Sequence, residues 1–173
     1  MNITLRPSNN LNEETVRRIK VQVENVFHCP TAIIKDFNHL SHAYNIQRKQ
    51  YLASKLIKSL IGNTKVKNEK VIGIVDVDLY SPHLNFVFGE ADYFSSTAIM
   101  SLYRLRQEYY GQPADEDLLI ARACKEIIHE LGHTLGLQHC SNPECVMYFS
   151  NALADTDRKE SYFCENCRPK FRI

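Results

Sequence analysis

The stretch from His129 to Cys140, HELGHTLGLQHC, places three histidines, one carboxylate and one cysteine within twelve residues. On a helix, positions i and i+4 stand one above the other, so His129 and His133 can both reach one ion at about 2.0–2.1 Å, the usual zinc to nitrogen distance. Glu130 points to the side of that pair, where it can hold a water without being a ligand. Gly136 permits a sharp left-handed turn, after which His139 can swing back as a third nitrogen. Three protein ligands leave the fourth tetrahedral position to water, the arrangement of a catalytic rather than a structural zinc. Zinc brings the pKa of such a water to about 7 and polarises a carbonyl. Glu130 would take the proton as water attacks and pass it to the leaving amine, a contribution of about 10²- to 10⁴-fold. The chemistry implied is amide hydrolysis without a covalent intermediate.

Four of the six cysteines form two close pairs, Cys140 with Cys145 and Cys164 with Cys167, separated by an eighteen-residue gap. Two such pairs brought together make a tetrahedral thiolate cage at about 2.3 Å, closed to substrate and therefore structural. The competing reading is four unrelated free thiols, but paired short spacing in a reducing compartment is itself the zinc pattern. Cys29 and Cys124 have no near partner and read as ordinary semi-buried thiols. His39 and His42 lack a third ligand and read as solvated. Met147 alone is a gap-filler.

These groups need a helix to carry them and a sheet to carry the helix. PADEDLLIARACKEIIHELGHTLG, residues 113–136, opens with Asp115, Glu116 and Asp117, which favour a helix N-terminus, and closes at Gly136. At about 100° per residue, Ile120, Cys124, Ile127, Ile128, Leu131 and Leu135 share one sector, and His129 with His133 take the opposite one. The core and histidine faces are thus separate, with a solvated histidine face as the competing reading. Upstream, NITLR, TAIIKDF and VIGIVDVDLY read as strands. NEETVRRIKVQVENVF, behind an Asn12 cap, and IQRKQYLASKLIKSLIG, ending at Gly62, read as amphipathic helices between them. Strand, helix, strand, helix, strand implies right-handed crossovers and a largely parallel sheet. LNFVFGEA and STAIMSLYRL are further strands, the first an antiparallel edge. Lys65, Lys67 and Lys70 read as a solvated loop.

A chain of 173 residues suits one domain with a real core. Its 44% hydrophobic and 24% charged content and net charge of +1 describe a globular protein, neither disordered nor built for nucleic acid. The start, MNITLRPSNN, lacks the pattern of a leader, and no apolar run approaches the roughly 18 residues of a membrane span. A cytoplasmic location is expected.

HELGHTLGLQHC, NPECVM and FCENC together resemble the archaemetzincins, metallopeptidase-like proteins of archaea and some eukaryotes. The likeness extends upstream through DVDLYSPHLNFVFGEAD and STAIMSLYRLR. It implies a metzincin-like α/β fold, with a twisted mixed sheet over the cleft and a small zinc-clipped C-terminal subdomain. The upper part would be residues 1–136, ending with the active-site helix, and the lower part residues 137–173. By the same resemblance His129, His133 and His139 hold a catalytic zinc, Glu130 is general base and acid, and Cys140, Cys145, Cys164 and Cys167 hold a second zinc. Met147 forms the Met-turn, and Leu84, Asn85, Phe86, Val87, Phe88 and Gly89 rim the substrate groove, where a peptide adds a strand to the sheet. Tyr148 is expected as a core or rim residue rather than a group at the metal. The expected function is hydrolysis of peptides or proteins by a monomer carrying two zinc ions. Two other readings stand beside it: a zinc-stabilised interaction protein whose site is intact but idle, and a zinc ribbon contacting nucleic acid through Arg168, Lys170 and Arg172, which the near-neutral charge opposes.

Overall fold

The computed structural model describes residues 1–61 and 68–170. β1 (Asn2–Pro7) leads into α1 (Glu13–Phe27), where the Asn12 side chain accepts from the Glu14 and Thr15 amides and so caps the helix. Val16, Ile19, Val23 and Phe27 bury one face. β2 (Thr31–Ile33) pairs parallel with β1 and is shorter than the seven residues expected. Its continuation is drawn off by side chains: Asp36 pairs with Arg6, Lys35 with Glu13, and Phe37 turns into a second core cluster.

The second helix is α2 (Ala53–Ile61), seven residues later in its start than its periodicity suggested. The Asn45 side chain accepts from the Gln47 and Arg48 amides, an Asx-turn that competes with helix, and Lys49 sits at φ +55°. The chain therefore forms β3 (Tyr44–Asn45) against β4 (Gln50–Leu52), leaving Ile46 80% exposed instead of on a buried face. Leu56 and Leu60 are buried as expected. Gly62, Lys65, Lys67 and Arg172 lie outside the described residues.

β5 (Glu69–Val75) is the central strand, between β1 and β8 (Thr97–Ser101), and β7 (Gly89–Asp92) is the outermost, in the order β2-β1-β5-β8-β7. Within this five-stranded sheet every pairing is parallel except β7 with β8. The apolar run from Val71 to Tyr80 splits, because Asp76 and Asp78 turn to Arg106 and Arg104 and the chain resumes as β6 (Leu79–Tyr80) beside β4. Ladder pairing of the edge strand starts only at Gly89. Phe86, Val87 and Phe88 instead pack inward, with Phe88 4% exposed and its ring edge-on to Phe86, while Leu84 and Asn85 stay exposed. β8 likewise ends at Ser101, with a 3₁₀ turn over Tyr103–Leu105. Lys70 is half-buried on β5 rather than solvated: its ammonium donates to Ser96 Oγ at 2.9 Å and the Thr134 carbonyl at 2.6 Å.

α3 (Glu116–Thr134) lies across the sheet and α1, its start capped by Asp115 accepting from the Leu118 amide. Leu119, Ala123, Ile127 and Leu131 join the core beneath β1, β5 and β8. The opposite face is buried too, with His129 and Glu130 at 4% and 5% exposure, so it is not the open face a two-sector wheel suggests. β7 covers it at Glu130, and the segment after the helix, which contains α4 (Leu153–Arg158) and no strand among the described residues, covers it at His129. No helix among the described residues is long and apolar enough to cross a membrane.

Candidate active site

α3 ends in two bonds that reverse the chain: the Gly136 amide donates to the His133 carbonyl at 2.9 Å and the Leu137 amide to the Gly132 carbonyl at 3.1 Å. Gly136 takes φ +89°, a backbone conformation that favours glycine, and a Cβ there would stand 3.2 Å from the Tyr93 ring, a tight contact. The same turn aims the imidazoles. His133 Nδ1 donates to the Leu137 carbonyl at 2.8 Å, and His129 Nδ1 donates to the Val146 carbonyl at 2.8 Å. The Nε2 atoms then converge, His129 to His133 at 3.0 Å and His133 to His139 at 3.2 Å.

That geometry fits a cation. With both Nδ1 protons committed to carbonyls, neutral rings present bare Nε2 lone pairs to one another, and lone pairs about 3 Å apart repel unless a shared positive centre lies between them. Four-coordinate zinc with bonds of about 2.0–2.1 Å separates its nitrogens by about 3.3–3.4 Å, close to the spacing seen. Burial holds the proton affinity of His129 well below the ordinary imidazole value, with Lys159 and His133 adding to the effect. His133 and His139 are lowered by burial as well.

Glu130 faces a cleft of about 620 Å³ whose walls include Gly89, Tyr93, Phe94, His133 and His139. β7 presses against it at Gly89, where a Cβ would fall 2.6 Å from Glu130 Cγ and 2.7 Å from Oε1. Burial pushes the carboxyl well above the usual range, the neighbouring Glu126 pushes it further, and Lys159 opposes both. Of the expected rim residues, Leu84, Val87 and Gly89 line the cleft. Phe86 and Phe88 line a small side cavity of about 40 Å³, also bounded by Glu126. The Asn85 carbonyl is engaged by Arg48 and Gln50. Phe149 lines the cleft and its ring lies 4.8 Å from that of His139, whereas Tyr148 is not among the lining residues. Met147 is fully buried under α3, where a Cβ at Gly132 would meet its Sδ at 2.5 Å.

The four paired cysteines also come together, their Sγ atoms within 4.8 Å of one another and Cys140 Sγ 3.8 Å from Cys164 Sγ. None is in a disulfide. Zinc to sulfur bonds of about 2.3 Å place sulfurs about 3.8 Å apart, so this set fits the same ion. Burial raises Cys145 and Cys167; at Cys164 it also pushes upward, but the Cys167 amide and the Cys145 thiol outweigh it and bring that thiol down to about 7. Cys29 and Cys124 stand apart and buried, Cys124 pushed up to about 12 by burial.

Two residues that the spacing did not single out sit beneath the cleft. Lys159, wholly buried, places its ammonium 3.0 Å from Glu126 Oε1. The ammonium has no partner in hydrogen-bonding geometry, so the contact is ionic, while Thr156 Oγ1 donates to Glu126 at 2.7 Å. Beside it, Arg122 forks onto Asp157 at 2.6 and 2.7 Å. The legible signal was Glu126 at i−4 from Glu130, a second carboxylate on a buried face that needs a partner. Lys159→Met leaves that carboxylate unpaired and is expected to destabilise the fold by about 3–5 kcal/mol, read by denaturant unfolding, with Glu126→Gln in the same chain recovering most of the loss. Additive effects would show that the two side chains do not interact.

The sequence profile of peptidase family M54 matches residues 3–172. The archaemetzincin of Methanocaldococcus jannaschii is 41% identical over 172 residues, covering 99% of this chain and 93% of its own. A zinc-dependent peptidase from Methanocorpusculum labreanum superposes with a TM-score of 0.91 at 32% identity, covering 98% of this chain and all of the other. The archaemetzincin of Archaeoglobus fulgidus superposes with a TM-score of 0.84 at 33% identity, covering 99% of this chain and all of the other. With its whole described fold and nearly its whole length shared in this way, the chain belongs to peptidase family M54, the archaemetzincins.

Proposed function

We propose that this zinc metallopeptidase hydrolyses peptide bonds at the cleft between β7 and α3, with His129, His133 and His139 holding zinc and Glu130 as general base and acid. The observation that carries this reading is the convergence of three imidazole Nε2 atoms, two with Nδ1 tied to carbonyls, beside a buried carboxylate in an open cleft. Zinc in that position supplies a Lewis acid that polarises a carbonyl and makes water nucleophilic near neutral pH. Glu130 accepts the proton of the attacking water and delivers it to the departing amine nitrogen; burial raises its proton affinity well above that of an ordinary carboxylate, which favours its taking that proton. Gly89 lets the strand backbone close over that carboxylate and keeps bulk water off one side of it. The outer edge of Gly89–Asp92, which begins at the last residue of the expected rim, offers amides and carbonyls to an extended peptide. Cys140, Cys145, Cys164 and Cys167 hold a second, structural zinc that clips residues 137–170 beneath the helix, the lower part of the molecule.

Removing metal with a chelator is expected to abolish peptide hydrolysis and zinc to restore it. The histidines add a pH signature. Their folded proton affinities lie below the unfolded value of about 6.5, so below that pH the unfolded chain binds more protons and stability falls as pH falls. Thermal unfolding between pH 8 and 5 should show this loss in zinc-free protein and its displacement to lower pH when zinc is added. Curves that zinc does not move would remove the ligand assignment.

A further inference from the structure

The turn between β7 and β8 holds two aromatic rings in water beside the reacting groups. Phe94 is 94% exposed and Tyr93 57%, their ring centroids 5.6 Å apart at 69°. Neither ring hangs on a loose loop. The Phe94 amide donates to Asp92 Oδ1 at 3.1 Å, the Ser96 amide to the Tyr93 carbonyl at 3.2 Å, and Ser96 takes φ +56°, so the turn is tight. Lys70 then ties Ser96 to the Thr134 carbonyl at the end of α3, and the Tyr93 ring lies over Gly136. The tip is thereby held in register with His133, the residue immediately before Thr134 on the same helix.

Both rings line the same cleft as Glu130, His133 and His139, so they continue the groove that holds the reacting bond. Gly89 lies over Glu130 and Tyr93 is four residues further along the same edge. A strand rises about 3.3 Å per residue, and a peptide laid along β7 advances at that rate too, so the tip meets a substrate residue roughly four positions from the bond at Glu130. An exposed phenylalanine fixed there contributes nothing to the core, yet it can bury a large apolar side chain on arrival.

Resting on the reading of peptide hydrolysis above, we propose that Tyr93 and Phe94 form a selectivity site that grips an aromatic or large aliphatic side chain of the substrate about four residues from the cleaved bond. An aromatic pair closing out of water contributes about 1.4 kcal/mol, which is about tenfold in affinity.

The test uses the zinc-loaded full chain and a series of peptides carrying Phe, Leu, Ala or Glu at each position up to five residues on either side of the cleaved bond. The expected result is a preference of about tenfold in kcat/KM for Phe over Ala at one position about four residues away, expressed mainly in KM. Phe94→Ala should bring that ratio close to one, and Phe94→Trp should keep it. An unchanged ratio in Phe94→Ala, or no distal preference in the wild type, overturns the proposal. Should the wild type cleave no peptide, the hydrolytic reading fails. The selectivity site is then decided by fluorescence anisotropy of the same labelled peptides on zinc-loaded Glu130→Gln protein, where the Phe peptide should bind about tenfold tighter than the Ala peptide unless Phe94 is also replaced. A dimer in sedimentation that Phe94→Ala dissolves would assign the tip to a second copy of this chain and also overturn the proposal.

Discussion

Glu130→Gln is expected to lower kcat/KM for peptide hydrolysis by about 10²- to 10⁴-fold, with zinc content per chain unchanged. The substitution preserves shape, which matters because the Glu130 side chain is 5% exposed and packed directly beneath Gly89. It removes only the ability to take and return a proton. The fold should not suffer, since the carboxylate is a buried charge close to Glu126, and an amide is easier to desolvate. Zinc content is the discriminating control: loss of metal would mean that the variant disturbed His129, one residue away, and a rate equal to wild type with metal retained would remove Glu130 from the mechanism.

Cys164→Ser is the second large effect, and it acts on two sites. It is expected to release one zinc per chain, measured by atomic absorption, and to lower the unfolding temperature of the whole chain. Residues 137–170 contain one six-residue α-helix, a 3₁₀ turn at Arg168–Lys170 and no strand, so the sulfur cluster adds to the few core side chains this segment supplies, among them Leu137, Val146, Met147 and Phe163. The segment also supports the histidines. The Val146 carbonyl orients His129, and the Met147 carbonyl accepts from the Cys140 amide, which follows His139 directly. Loosening the clip therefore loosens the backbone groups that hold His129 and His139 in place, and lost support of this kind typically lowers metal affinity about 10- to 100-fold. A variant that keeps two zinc ions and its stability would break the link between the cysteines and the fold.

Much of this molecule was legible because the relevant spacing is local. Asn12 capping α1, the sector of Ile127 and Leu131, the turn at Gly136 and the pairing of Cys164 with Cys167 all rest on geometry spanning a few residues. Where local signals compete, spacing alone does not rank them. Helical periodicity from Ile46 to Leu52 yielded to an Asx-turn at Asn45, since a short side chain bonding two amides ahead closes a turn before a helix can nucleate. The run Leu84–Phe88 has the pattern of a strand because alternation and burial share one signature, and only the neighbouring cores show that Phe86, Val87 and Phe88 are used for packing while Leu84 stays exposed.

Sequence alone determined which groups could meet an ion, because histidines one turn apart and cysteines three apart face the same way in any fold that forms those turns. Tertiary structure alone decided what surrounds them: Gly89 over Glu130, Lys159 against Glu126, Lys70 between the hairpin tip and the helix end, and two aromatic rings left in water beside the cleft. Those contacts join residues tens of positions apart. They follow from which surfaces pack once a sheet is built, and no spacing along a chain encodes that choice.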